Sequence, residues 1–407
     1  MTRVWIINHF AIPPSESGGT RHYSLARELL NHGFQPTIIA AASNYQTGRP
    51  RPLPEGVQAQ LQVVNDVPFL WLRAATHGKG SLDRLLGMLY FAYQLVTNLP
   101  RRFVDAPEII IGSTPHLFAA AASCFLAKHY KIPFVLEVRD IWPESLIELG
   151  GYSPYHPLML IMKKLERYVY RNAARIVTLL PDAAPYFAQH GARVEHVVTI
   201  PNGVDTSLLE TPTEPVKKPE KFIVLYTGTI GIPNQMETFV EAAELVQKRA
   251  DVPPIQFVLV GEGIRKAALQ QMADEKKLTN MIFLPSVPKN EVAGLLARAD
   301  AFYLQFKDCA LYQWGVSPNK LFDYLLAAKP ILYAANVKTN PVQSENAGIA
   351  LKPADAKALA DAVVKLATMP EAERAAMGER GLAYVLAHHN FTALGKKLAD
   401  CLKSLVN

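Results

Sequence analysis

Continuous apolar runs of strand length alternate with helical segments along this chain, and the alternation occurs twice, which leaves few folds open to it. "RVWIIN" (Arg3 to Asn8) reads as a strand, "TRHYSLARELLNHG" as a helix closed by Gly33, and "QPTIIAAA" as the next strand, which together make one βαβ unit. "EIIIGS" and "PFVLEV" flank the Ala-rich helix "HLFAAAASCFLAKHY", and "RIVTLL" follows a basic helix. The second half repeats the rhythm with "KFIVLYTG", a helix over 235–249, "IQFVLVGEG", "MIFLPSV", "AFYLQF" and "PILYAA". Strands without polar alternation, separated by helices, predict parallel sheets covered on both faces. At 407 residues the chain is too long for one ordinary core. The expected class is therefore α/β, with two doubly wound, Rossmann-like domains facing each other across a cleft. Residues 208–220, with the Pro-rich and charged "ETPTEPVKKPE", read as the linker between a domain at 1–207 and one at 221–387.

Composition excludes several function classes. The chain is 49% hydrophobic and 19% charged, with no repeat or low-complexity tract. Cys124, Cys309 and Cys401 stand far apart, so neither a disulfide framework nor a zinc site is expected, and a reducing cytoplasm is the natural compartment. "VWIIN" follows Met1 without the pattern of a signal peptide, and no run of 18 apolar residues spans a membrane. There is no D-x-D, no H-x-x-x-H and no cluster of ligand residues, so a metal-free reaction without a cofactor is expected. His22, His116 and His190 are scattered and read as surface or helix-end residues, whereas His9 lies in a loop that should face the cleft.

A net charge of +6 and a pI near 9.0 admit an anionic partner. "LMLIMKKLERYVYRNAARI" (Leu158 to Ile176) reads as an amphipathic helix with Lys163, Lys164, Arg167 and Arg171 among its polar positions. Ser81 to Phe103 is apolar nearly all round and ends in Arg101 and Arg102. Each reads either as a core helix with a wet basic side or as a segment resting on an anionic bilayer. A nucleic-acid binder would need a basic stripe with interleaved aromatics, which the chain lacks.

Binding loops are expected at the carboxyl ends of the strands. After the first strand, Gly18-Gly19 lets backbone approach a diphosphate, although the loop is neither G-x-G-x-x-G nor a Walker A loop, and no acid follows the second strand to hold a ribose. In the second half "YTGTIG", "VGEGIRK" and "GVSPNK" put three anion-facing loops on one sheet. The third opens a helix, with Ser317 expected as its N-cap, Pro318 at its first position and Lys320 within the first turn. Such a start either binds an anion or is a well-capped surface helix with a Lys320 to Asp323 pair.

These loops, with "IPNGVD", "LPSVPKNEVAGLLARAD" and "FDYLLAAKPIL", resemble the family 4 glycosyltransferases of GT-B fold over nearly the whole chain. "NHF…GGTR", "EVRDIWPES" and "SPNKLFDY" in this order resemble more closely the subgroup that includes bacterial N-acetyl-L-fucosamine transferases of O-antigen and capsule assembly. The resemblance implies a retaining, metal-independent transferase that takes a nucleotide sugar, UDP-linked by the subgroup, as substrate. It also implies a lipid-linked saccharide acceptor, a place at the cytoplasmic face of the membrane, and a C-terminal helix (about 388–407) that returns to complete the first domain. On the donor side it brings in Gly228, Thr229, Gly261, Glu262, Gly263, Ser286, Val287, Ser317, Pro318, Asn319, Lys320 and Asp323. From the first half it brings in His9, Gly18, Gly19 and Arg21.

The departures from the family pattern point to Lys320. Of two glutamates eight positions apart, the second aligns with Asp323, which is suited to ribose hydroxyls, and the first with Gly315. The family's diphosphate-holding Arg and Lys align with Thr229 and the neighbourhood of Asn234 and Gln235, which carry no charge. A diphosphate leaving without a metal needs a cation in a dry site. Lys320 is the candidate replacement, with hydrogen bonds from Ser317, Asn319 and the helix start. In "EVRDIWPES", Arg139 occupies the place of a family His near the acceptor and would contact sugar or phosphate, while Asp140 or Glu144 would orient the acceptor hydroxyl. Arg139 and Asp140 could instead form a structural ion pair. The rival functions are a GT-B-like sugar-nucleotide epimerase or phosphorylase and a non-enzymatic polyanion binder.

Overall fold

The apolar runs become two sheets because strands buried on both faces have nowhere to go but between helices. In this computed structural model the described residues are all except 17, 44–50, 52, 75–80, 205, 207–219, 289, 290 and 407, with the side chains of 81 and 82 also left aside. The stretch 208–219, most of the expected linker, lies outside the described residues. The contacts divide the chain into unit 1, residues 1–202 with 391–407, and unit 2, residues 203–390.

Unit 1 runs β1 (Thr2–Ile7), α1 (Arg21–Leu30), β2 (Phe34–Ala41), β3 (Ala59–Val64), β4 (Val67–Leu72), α2 (Ser81–Val96), β5 (Ile109–Ser113), α3 (Leu117–Tyr130), β6 (Phe134–Val138), α4 (Glu144–Glu148), α5 (Pro157–Asn172), β7 (Arg175–Thr178), α6 (Ala184–Gln189) and β8 (Val197–Thr199). The sheet order is β3-β4-β2-β1-β5-β6-β7-β8. Every pair is parallel except β3 with β4, whose register pairs Ala59 with Leu72 and Val64 with Val67. That hairpin was not legible as two strands; its turn is Asn65-Asp66, both at positive φ (44° and 69°), a conformation that matches strand twist. The long apolar segment 81–103 is not one helix: α2 ends at Val96, and Leu99–Arg102 forms a separate 3-10 turn.

Unit 2 runs β9 (Phe222–Thr227), α7 (Glu237–Gln247), β10 (Ile255–Val260), α8 (Lys266–Glu275), β11 (Met281–Leu284), α9 (Val292–Ala297), β12 (Ala301–Gln305), α10 (Asn319–Leu326), β13 (Ile331–Ala334), α11 (Pro341–Ser344), β14 (Gly348–Leu351), α12 (Ala356–Thr368) and α13 (Glu371–His388). Its sheet is all parallel in the order β11-β10-β9-β12-β13-β14, so the winding reverses between β9 and β12. Ligands of doubly wound sheets bind at the strand carboxyl ends beside that reversal.

The last helix, α14 (Phe391–Lys403), belongs to unit 1 and packs on α1. Its apolar side, Phe391, Leu394, Leu398, Ala399 and Leu402, enters the same core as Val4, Ile6, Leu25 and Leu29. Each such Leu or Phe contributes about 2 kcal/mol by leaving water. The close crossing depends on Gly395, where any Cβ would run into the side chain of Glu28.

Candidate functional site

The start of α10 differs from the sequence expectation. Ser317 is not the N-cap position: the helix begins at Asn319, and Pro318 is the flanking residue, extended at φ −75° and ψ 133°. A proline immediately before the first turn fixes φ and disfavours helical geometry at Ser317, which sets the start later. Leu321 N–H donates to the Pro318 carbonyl. Ser317 and Pro318 are half-buried, and Asn319 and Asp323 are exposed.

Lys320, in the first turn, is half-buried and reaches back across the end of β9. Its Nζ donates to the Tyr226 hydroxyl at 2.6 Å and lies 4.5 Å from the centre of that ring. Tyr226 in turn donates to the Thr229 carbonyl at 2.7 Å. Burial pulls the Lys320 ammonium down to about 8 and pushes the Tyr226 phenol up, so the phenol stays neutral beside a labile cation. The Lys320 ammonium thus rests on a phenol, where the sequence had offered a pairing with Asp323.

The glycines around Lys320 are there for space. A Cβ on Gly228 (φ +121°) would collide with Lys320 Cε and come within 2.8 Å of Nζ. One on Gly261 (φ +151°) would strike the Gly228 carbonyl, and one on Gly263 the Ile230 carbonyl. The loops after β9 and β10 therefore interlock backbone to backbone: Gly228 N–H donates to the Val260 carbonyl, and Ile230 N–H to that of Glu262. Gly228, Thr229, Gly261, Gly263 and Lys320 are brought together at the carboxyl ends of β9 and β10. Glu262 faces solvent and pairs with Lys266 at 2.8 Å. Ser286 and Val287 follow β11, one strand further out.

At the carboxyl end of the unit 1 sheet the signals separate into interior and surface. Arg21, expected against the donor, is 2% exposed, and its guanidinium is engaged with Glu137 (2.8 Å) and with the carbonyls of Pro201 (2.5 Å) and Ile200 (2.8 Å). It holds the fold, since a buried guanidinium needs such partners. Glu137 also meets His22 Nε2 at 2.7 Å and accepts from Ser113 Oγ at 2.6 Å, and Asn8 donates to that hydroxyl at 2.9 Å. Burial opposes ionisation of Glu137, and His22 and Arg21 outweigh it, holding the carboxyl well below the usual range. His22 and His116 are interior residues, at 3% and 1% exposure, yet both stand at helix starts, His116 as the cap of α3 accepting from Ala119 N–H, so of their surface or helix-end reading the helix-end half holds.

His9 packs against Phe91 and His116 with ring centres 4.8 and 5.1 Å away, and burial lowers it to about 4, so it is neutral at physiological pH. Gly18 is exposed at φ +133°, and Gly19 is half-buried. Arg139 is half-buried, and its Nε has no hydrogen-bond partner. It forms no ion pair with Asp140. The Asp140 carboxylate instead accepts from Ile141 N–H (2.9 Å) and Ser145 Oγ (2.6 Å), which makes it the cap of the turn into α4. Burial raises its pKa against those hydrogen bonds. Glu144 lies 3.7 Å from Lys163.

Sequence reasoning missed Tyr226, because a tyrosine inside an apolar strand reads as core. It also missed the Glu137 network, although a lone acid within "PFVLEV" was a usable signal: a buried carboxylate must be paired. Among the described residues no three His, Cys, Asp or Glu side chains are grouped to hold a metal, and no helix is long and apolar enough to cross a membrane.

Residues 18–203 match the family described as glycosyl transferase 4-like domain, and residues 221–369 match glycosyl transferases group 1. The chain is similar to the putative colanic acid biosynthesis glycosyl transferase WcaI of Escherichia coli K12, with 27% identity over 64% of this chain and 65% of that protein. It is also similar to the probable glycosyltransferase WbjE of Pseudomonas aeruginosa, at 23% over 62% and 63%. Each match thus spans just under two thirds of the relative's length. In fold the chain is similar to the sucrose-phosphate synthase of Thermosynechococcus elongatus (TM-score 0.74, 16% identity, 100% of this chain and 99% of that one). It is similar as well to HepE of Anabaena, solved in complex with UDP and glucose (TM-score 0.71, 15%, 100% of both chains). The fold is GT-B.

Proposed function

Since the chain carries a glycosyl transferase 4-like domain and a glycosyl transferases group 1 domain in a GT-B fold, it belongs to the glycosyltransferases, and we infer that it moves a sugar from a UDP-linked donor to a lipid-linked saccharide. The transfer is retaining and metal-independent, the sugar is an N-acetylated deoxyhexosamine, and the product enters O-antigen or capsule polysaccharide at the cytoplasmic face of the membrane.

The observation that carries the donor half of this reading is Lys320, a half-buried ammonium fixed on Tyr226 against Gly228, at the strand ends beside the sheet's reversal. As the bond between sugar carbon and diphosphate oxygen breaks, negative charge grows on the leaving phosphate, and a desolvated cation there stabilises it more than water would. The backbone of Gly228, Thr229 and Gly261 approaches the diphosphate closely for want of side chains, and Asp323, exposed one turn along α10, accepts from ribose hydroxyls. The acceptor oxygen bonds to the anomeric carbon on the face the diphosphate leaves, and its proton passes to that phosphate. In unit 1, Arg139, with a buried Nε lacking a partner, is assigned to the sugar or acceptor. Asp140 is already engaged by Ser145 and Ile141, so Glu144 is the better group to orient the acceptor hydroxyl.

Calorimetric titration of UDP in EDTA, into the native chain and into Lys320→Ala, tests the reading. Saturable binding that survives EDTA and weakens at least tenfold in the variant is expected, roughly the 1.5–3 kcal/mol of a hydrogen bond to a charged group. No UDP binding, or binding indifferent to the substitution, overturns it.

A further inference from the structure

Helices α2, α3 and α5 lie side by side on one face of the unit 1 sheet, with α3 in the middle. Their outward residues are not what a solvated helix layer carries. Along α2, Leu86, Leu89, Tyr93 and Val96 recur at three- and four-residue spacing on the open side, and Phe125 follows on α3 and Leu160 and Ile161 on α5. All seven are between 42% and 62% exposed, so none is a core residue glimpsed at an edge.

The exposed charge of α3 and α5 has one sign, while α2 carries Asp83 beside Arg84 in its first turn. Between Leu117 and Phe134 there is no acid, and between Tyr152 and Arg175 the only one is Glu166, which is fully buried. Lys164, Arg167 and Arg171 continue the exposed stripe that Leu160 and Ile161 begin on α5. The three helices run the same way, so their carboxyl ends share one edge, and Lys128 of α3 and Arg171 of α5 stand there. There a recess of about 280 Å³ is bordered by Lys128, Arg171, Arg193 and His196, with no carboxylate in its lining.

We propose that the outer face of α2, α3 and α5 is a docking surface for an anionic lipid bilayer, with the apolar stripe entering the acyl boundary and the basic edge taking lipid phosphates. An apolar surface flanked by cations fits such an interface, where buried area and attraction to anionic headgroups act together. A second copy of the chain fits poorly, because a two-fold contact through this face would set cations against cations. The proposal rests on the membrane-face part of the functional reading and not on the donor site.

The test is flotation of the full chain with vesicles of phosphatidylcholine alone, or of phosphatidylcholine and phosphatidylglycerol in equal parts, at low and at moderate salt. Two variants are compared, Lys164→Glu with Arg167→Glu and Arg171→Glu, and Leu89→Ser with Tyr93→Ser, each checked by circular dichroism and by UDP titration. The native chain is expected to float with anionic vesicles only and to release as salt rises. The charge-reversed chain should partition at least roughly a hundredfold more weakly, and the serine variant should also lose binding, with native dichroism in both. No flotation, equal flotation with both vesicles, or flotation unchanged in both variants overturns the surface. Self-association in solution that the same variants abolish overturns it too, in favour of a second copy. Flotation by a chain that binds no UDP supports the surface while removing the donor reading, so the two failures are told apart.

Discussion

At the scale of the residue, Lys320 is informative because its environment sets its charge. Burial brings it to about 8, so the free protein holds the ammonium below that pH and loses it above, which is the direction expected of a lysine taken from water. If the cation serves the diphosphate, kcat/KM should hold to about pH 8 and fall above it, and in Lys320→Arg the fall should move beyond the accessible range, since a guanidinium does not deprotonate there. A profile of kcat/KM against pH checks this; a flat native profile through pH 10 removes Lys320 from the chemistry. Lys320 could be singled out in the sequence because it lies in a recognisable loop. Tyr226 could not: the pair is 94 positions apart, and nothing in "KFIVLYTG" marks its hydroxyl as different from those of Tyr303 or Tyr333.

At the scale of the element, strands and helices were legible wherever burial is two-sided, as in β1, β5, β6 and β9, because an unbroken apolar run has one reading in an α/β chain. The hairpin of β3 and β4 was not, since β3 is largely exposed and its run "AQLQVV" carries polar residues. The basic helix α5 was legible as amphipathic, yet its inner face holds an acid. Glu166 accepts from Tyr186 on α6 at 2.8 Å, and burial, against that hydrogen bond, raises it to about 7 from the usual 4.5. A carboxyl raised in the folded state keeps its proton between those values while the unfolded chain loses it. Stability is then full below pH 4.5 and declines as pH rises through 7, by roughly 3 kcal/mol in all. Glu166→Gln should erase that decline and melt higher than the native chain at pH 8. Thermal melts across pH would show it, and parallel curves for the two proteins would contradict the buried acid.

At the scale of the whole molecule, the apolar cores are separate. Those of unit 2 draw on residues 204–385, and the core around β1 draws on unit 1 together with α14. A fragment of residues 203–390 should therefore fold alone and bind UDP, whereas 1–202 should stay insoluble until 391–407 is supplied in trans or by fusion. Dichroism and titration of the fragments decide this, and a soluble, cooperatively melting 1–202 would count against it. The two-part rhythm made two α/β units readable, and the return of the last helix came only with the family resemblance; the donor sugar and the acceptor were not readable, because pocket shape comes from side chains far apart in the chain.

The return of α14 also orders events in time. As the chain leaves the ribosome, residues 1–202 emerge ahead of unit 2, but the helix that covers Leu25, Leu29 and their neighbours is made only after it. Unit 2 is complete before then, so the second unit in sequence finishes folding first, and the apolar flank of α1 stays uncovered throughout the synthesis of unit 2. A premature stop anywhere before Phe391 thus releases a chain with that flank open, a ready target for chaperones and proteases.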